Sequence, residues 1–250
     1  MEQEYITSRQ NPLMVLTGKL LHTRKHRKTA GLYVCDGTKL LLEATKWAPD
    51  RLRTVIAVET LSIPDLPAHV RLVRVPARLM EQISDMEAPE GVLFHMALPE
   101  LEFGTLHPGT LILDGIQDPG NLGTILRTAD AMDVPVLLTE GCVDPYNPKT
   151  VRATMGSIFR SQPRQTTRQA ILARDGAIPL YVTALSPDAK DIRTMDLREG
   201  LVVIGSEGQG VSQRLIDAAD NRLIIPMHPR CESLNAAAAA AIVLWQMTSL

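Results

Sequence analysis

The chain has 250 residues, 45% of them apolar and 22% charged, with a net charge of −2; this length suits two domains, and the composition is that of an ordinary soluble protein. No apolar run approaches transmembrane length, and Met1 is followed by Glu2, Gln3 and Glu4, which excludes a signal peptide. Cys35, Cys142 and Cys231 are too far apart for a disulfide framework or a zinc site, so a cytoplasmic protein without a membrane partner is expected.

Asn11-Pro12 opens an amphipathic helix with Leu13, Leu16, Leu20 and Leu21 on one face. From Tyr5 to Cys35 there is no acidic residue, yet Arg9, Lys19, Arg24, Lys25, Arg27 and Lys28 all fall there. Charge distribution says more about partners than net charge does; taken alone this stretch reads first as a solvated helix face, with a phosphate-binding surface as the other reading. Gly31 to Cys35, Thr54 to Val58, Val70 to Val75 and Gly91 to Met96 read as strands, with helices at Thr38–Lys46 and Arg78–Met86. Their alternation predicts a small α/β/α domain over residues 1–97, with a linker at 98–108.

Residues 109–250 alternate more regularly. Strands are predicted at Thr110–Leu113, Val134–Leu138, Leu180–Ala184, Leu201–Ile204 and Leu223–Ile225. Helices are predicted at Leu122–Met132, Pro148–Phe159, Thr167–Arg174, Ser212–Ala219 and from Ser233 to the C-terminus. Such alternation implies a parallel sheet covered on both faces, an α/β fold.

Three polar loops lie at ends of these strands: Asp114–Gly123, Gly205–Gly210 and Pro226–Asn235. Ligands of open parallel sheets bind beyond the carboxyl ends of the strands, and glycines there let main-chain amides approach a ligand. Neither glycine-rich loop has dinucleotide-binding spacing in the first βαβ unit, and no P-loop lysine follows. The six histidines show no metal-ligand spacing.

These loops resemble the three motifs of the SpoU/TrmH group of the SPOUT methyltransferases. Asn121-Leu-Gly-Thr-Ile-Leu-Arg127 is similar to the first, Gly205-Ser-Glu207-Gly-Gln-Gly210 to the second, and Ile225-Pro-Met227 followed by Glu232-Ser233-Leu234-Asn235 to the third. The N-terminal Ser8-Arg9-Gln10-Asn11-Pro12, the basic helix and the Gly31–Gly37 segment look like the substrate-binding domain of the rRNA-directed branch.

The resemblance implies a catalytic domain with a deep trefoil knot, dimerisation through that domain, and S-adenosyl-L-methionine as methyl donor. It implies methylation of a ribose 2′-hydroxyl in RNA, with 23S rRNA favoured. The alternatives are a tRNA substrate or a non-catalytic RNA-binding or assembly protein on the same fold. By residue-wise carry-over, Gly205, Ile225, Met227 and Leu234 line the donor site. Arg127 deprotonates or orients the hydroxyl, and Asn121, Glu207, Ser233 and Asn235 order Arg127 and the nucleotide, Glu207 as its counter-charge. Ser233 also suits a helix N-cap. Arg9, Arg24, Lys25, Arg27, Lys28 and Arg152 are the expected RNA contacts. The apolar end of the last helix, with Ile242, Val243, Leu244, Trp245 and Met247, is the expected dimer surface, with a core helix buried within the chain as the alternative.

Overall fold

The computed structural model describes residues 4–100 and 102–249. They form two compact units, the first spanning 4–100 with 146–160, the second 102–145 with 161–249.

The first unit begins with β1 (Glu4–Tyr5) and α1 (Pro12–His22). Asn11 caps α1, its side chain accepting from the Leu13 amide at 2.9 Å, and Pro12 occupies the first turn. Leu13, Met14, Thr17, Leu20 and Leu21 bury one face of the helix. Thr23 takes an extended conformation that stops α1, so the basic segment becomes a separate helix, α2 (Arg24–Ala30), closed by left-handed Gly31. Then follow β2 (Leu32–Asp36), α3 (Thr38–Trp47), β3 (Leu52–Val58), β4 (Arg71–Val75), α4 (Ala77–Ile83) and β5 (Val92–Ala97). The sheet order is β1-β4-β3-β5-β2, with β1 and β3 parallel to β4, and β5 antiparallel to both β3 and β2.

The second unit starts with β6 (Thr110–Asp114), α5 (Pro119–Ala131) and β7 (Val136–Leu138). Asp118 caps α5 with Pro119 in its first turn. Gly120, Asn121 and Gly123 therefore lie inside the helix, and the first loop is shorter than its glycines suggested. The chain then makes an excursion, α6 (Pro148–Thr154), that belongs to the first unit although sequence order sets it within the second domain. Tyr146 explains this membership: its ring packs on Tyr33 of β2 at 4.9 Å, and both are buried. Positive φ at Met155 and Gly156 ends α6 at Thr154, five residues before the expected helix end at Phe159.

The chain continues as β8 (Arg164–Gln165), α7 (Arg168–Leu172), β9 (Leu180–Thr183), β10 (Lys190–Asp191), β11 (Leu201–Gly205), α8 (Gln213–Asp217), β12 (Asn221–Ile224) and α9 (Ala236–Thr248). Seven parallel strands run in the order β10-β12-β9-β11-β6-β7-β8. Alternate residues face opposite layers, as strand geometry requires. Leu111, Leu113, Val202 and Ile204 pack with apolar residues of α5 and α9, whereas Ile112, Val203 and Val182 pack with Ile171 and Leu215 of α7 and α8. The last helix starts at Ala236 with Asn235 as its cap, not at Ser233. Asn235 Oδ1 accepts from the Ala237 and Ala238 amides at 2.9 and 3.2 Å, so the N-cap role expected of Ser233 falls to Asn235.

Candidate active site

β6 and β11 are neighbours whose outgoing connections diverge, β6 passing through α5 to β7 on one side and β11 through α8 to β12 on the other. This is the topological switch point, where open parallel sheets form a crevice. Gly205 and Asp114 end the two strands in register.

Beyond β11, Ser206 and Gly210 exchange two backbone hydrogen bonds, N to O at 3.1 and 2.9 Å, which closes a tight loop. A Cβ on Gly205 would lie 1.9 Å from the carbonyl carbon of Gly210, so only glycine permits this closure. A cleft of about 420 Å³ opens between this loop, the end of β9 and the 225–234 segment. Gly205, Ile225, Met227 and Leu234 all line it, as do Glu207, Glu232 and Ser233. The four residues expected at the donor site thus share one cavity. Thr183 and Leu185 line it too, and sequence reasoning missed them. Their position just past a parallel strand was the available signal.

A chain of side-chain amides runs beside the cleft. Asn235 Nδ2 donates to Asn121 Oδ1 at 3.0 Å, and Asn121 Nδ2 donates to Glu207 Oε1 at 2.7 Å. The orientations are mutually determined: the Glu207 carboxylate only accepts, and Asn235 Oδ1 is committed to capping α9. Residues from all three motifs therefore meet in one network.

Arg127 stands apart from it. It is exposed on α5 and makes no hydrogen bond or ion pair with the described residues. Six residues of helix rotate it about 240° from Asn121, and Glu207 is engaged by Asn121 instead. The expected Arg127–Glu207 pairing is absent in this state. Ser233 is exposed at the cleft and likewise makes no hydrogen bond to the described residues.

Asp114 was not anticipated. Only 2% exposed, its Oδ1 accepts from Thr139 Oγ1 at 2.8 Å and lies 2.7 Å from Arg168 Nη2, while Oδ2 accepts from the Ser212 amide at 2.8 Å. The carboxylate thus ties the ends of β6 and β7, the start of α7 and the exit of the Gly205–Gly210 loop together. Nearby, burial pushes the Cys142 thiol above its ordinary pKa.

The expected RNA contacts divide. Arg9, Arg24, Lys25 and Lys28 are exposed. Arg27 is not available to RNA: it is 3% exposed, and its Nη1 donates to the carbonyls of Leu20 and Leu21 at 2.7 and 3.3 Å. It satisfies the carbonyls that end α1, a common duty of arginine near a helix C-terminus. Arg152 is half-buried in the first unit, where its charge favours ionisation of Asp36 against the burial that raises that carboxyl's pKa overall.

The sequence profile of the SpoU rRNA Methylase family matches residues 108–245, and that of the MRM3-like substrate binding domain matches residues 6–93. The chain is 31% identical over 237 residues to the 23S rRNA (guanosine(2553)-2′-O)-methyltransferase RlmP of Bacillus subtilis strain 168, covering 92% of this chain and 93% of that protein. It is 30% identical over 224 residues to a 23S rRNA (uridine(2479)-2′-O)-methyltransferase of Streptomyces viridochromogenes, covering 82% and 71% respectively. The fold is similar to the crystal structure of an AdoMet-bound rRNA methyltransferase from Sinorhizobium meliloti, with a TM-score of 0.84, 26% identity, and coverage of 99% of this chain and 98% of that one. With more than half its length matching the profile and all three motifs meeting at one crevice, this chain belongs to the SpoU rRNA methylase family.

Proposed function

We propose that this protein transfers a methyl group from S-adenosyl-L-methionine to a ribose 2′-hydroxyl of RNA, with 23S rRNA as the substrate. The observation that carries the proposal is the convergence of Gly205, Ile225, Met227 and Leu234 on one cleft, beside the Asn235–Asn121–Glu207 network. The cleft's volume is within the range of small-molecule sites. Its apolar walls suit an adenine ring, and the carboxylates of Glu207 and Glu232 suit a positively charged donor. When bound there, the donor supplies an electrophilic methyl group on sulfur.

The chain's own residues then have three tasks. Gly205 keeps the loop closed so that its backbone forms one wall of the cleft. Asn121 and Asn235 hold Glu207 in place and present amide groups to the incoming nucleotide. Arg127, unattached to its own surroundings, is available to the RNA. We assign it to orienting the 2′-hydroxyl through the adjacent phosphate, since an arginine is a poor base. Ser233 at the cleft is a further contact for the nucleotide. Arg9, Arg24, Lys25 and Lys28 supply the phosphate grip.

We extend the proposal to a cytoplasmic homodimer, with the C-terminal third threaded as the deep trefoil knot that the family resemblance implies. Ile242 and Trp245 support the dimer: they are 40% and 67% exposed on α9, an apolar pair that a partner would cover, whereas Val243, Leu244 and Met247 of the expected stripe are buried in this unit's own core. Mapping ribose methylations in total RNA with and without this gene tests the activity. One 23S rRNA position losing its methyl group is expected. An unchanged rRNA map refutes the rRNA assignment, and loss of a tRNA methylation would replace it.

A further inference from the structure

Gly18 sits in the middle of the 11-residue helix α1, where glycine weakens a helix relative to alanine. Its surroundings give no reason for it. Its φ is not positive, and a Cβ built there meets nothing within 4 Å.

The open space beside Gly18 is a groove of about 390 Å³ between α1 and the end of α4. Its inner wall is apolar, with buried Met14 and Ile83 and half-exposed Val15. Its rim carries Arg9, Lys19 and His22 against one acid, Asp85, which His22 approaches at 3.6 Å. Spacing of four and three residues puts Val15, Lys19 and His22 on one helix face. Exposed Arg24, Lys25 and Lys28 continue the positive charge onto α2.

We propose that this groove takes one nucleotide of the RNA substrate, its base against Val15 and the open backbone at Gly18 and its flanking phosphates on Arg9 and Lys19. The inference rests on the RNA-methyltransferase reading above. The missing side chain at Gly18 lets a flat base lie against the helix backbone. Single-stranded RNA is recognised through splayed bases stacked on aromatic rings or guanidinium planes and phosphates on cations, groups that His22, Arg9 and Lys19 supply at this rim. Excess positive charge at the rim selects a polyanion over a neutral partner.

The test uses the full chain and unmodified 23S rRNA transcribed in vitro. Gly18→Leu fills the groove with a strong helix former. It is expected to raise the RNA Kd at least tenfold while Tm holds or rises and S-adenosyl-L-methionine affinity stays the same. Gly18→Ala is expected to raise Tm by roughly 2–4 °C, the shift expected when a helix-interior glycine is replaced in a protein of this size. An RNA Kd within twofold of wild type for Gly18→Leu overturns the proposal. Should that variant fail to fold, Lys19→Gln decides: a salt slope shallower by about 0.7–0.9 supports the groove, and an unchanged slope overturns it. Methylation of the same RNA by the wild-type protein reports separately on the enzymatic reading.

Discussion

Leu234 and Gly205 both line the proposed donor cleft, but they predict different variants. Leu234→Ala removes an apolar wall and leaves the backbone alone, so donor affinity should fall about tenfold, the worth of one to two kcal/mol of apolar contact. Tm should be nearly unchanged, because Leu234 is 39% exposed. Gly205→Ala should instead destabilise the second unit by about 1–3 kcal/mol, since its methyl group meets the Gly210 backbone rather than the cleft. Calorimetric titration with S-adenosyl-L-methionine and thermal unfolding together check both. Arg127 carries the third residue-scale prediction. Arg127→Ala should abolish methyl transfer with donor affinity and Tm at wild-type values, because its exposed side chain makes no hydrogen bond or ion pair with the described residues. Arg127→Lys should fail nearly as badly if the planar guanidinium orients the nucleotide. Single-turnover methylation at saturating RNA isolates that step, and near-normal turnover in the lysine variant would show that charge alone suffices.

Among the elements, α2 holds three exposed cations, Arg24, Lys25 and Lys28, beside one buried cation, Arg27. Replacing Arg24, Lys25 and Lys28 with glutamine should flatten the salt dependence of RNA binding by up to about 0.7–0.9 per residue, with Tm unchanged. Arg27→Gln should do the reverse: it strands the terminal carbonyls of α1 and costs about 1–3 kcal/mol, without a slope change of its own. Sequence reasoning grouped these four cations because a charge run does not reveal which side chain turns inward. It placed β6, β9 and β11 within a residue or two of their observed bounds, since each is a buried apolar run with polar ends. It missed β1, β8 and β10, which are two residues long and too short to show a period. It assigned the last cap to Ser233, because Ser233 and Asn235 are both good caps and only the loop path decides between them. The motif residues at the crevice were legible through resemblance. The Asp114 web was not, because it joins residues 98 positions apart through a backbone amide that no spacing rule marks.

At the scale of the whole molecule, the first unit carries a built-in acid sensitivity. His95 of β5 is 1% exposed, and burial, with Arg71 adding to it, lowers its pKa from 6.5 to about 4. Thr17 Oγ1 donates to the Leu13 carbonyl at 2.8 Å, which leaves neutral His95 to donate from Nε2 to Thr17 at 3.0 Å. The unfolded chain takes up this proton near pH 6.5 and the folded chain only near 4, so stability is full above 6.5 and is lost as pH falls through that window. The loss approaches about 3 kcal/mol by pH 4. A His95→Gln variant should show a flatter dependence of Tm on pH over that range, and an unchanged slope would remove His95 as the cause. Methyl transfer to an RNA ribose is the activity on which every residue role proposed above depends. It is tested most directly by incubating the purified full chain with unmodified 23S rRNA and S-adenosyl-L-methionine labelled in the methyl group, then digesting the RNA to nucleosides. Label is expected in a single 2′-O-methylnucleoside and lost in the Arg127→Ala variant; label on a base, or none in any nucleoside, refutes ribose methylation.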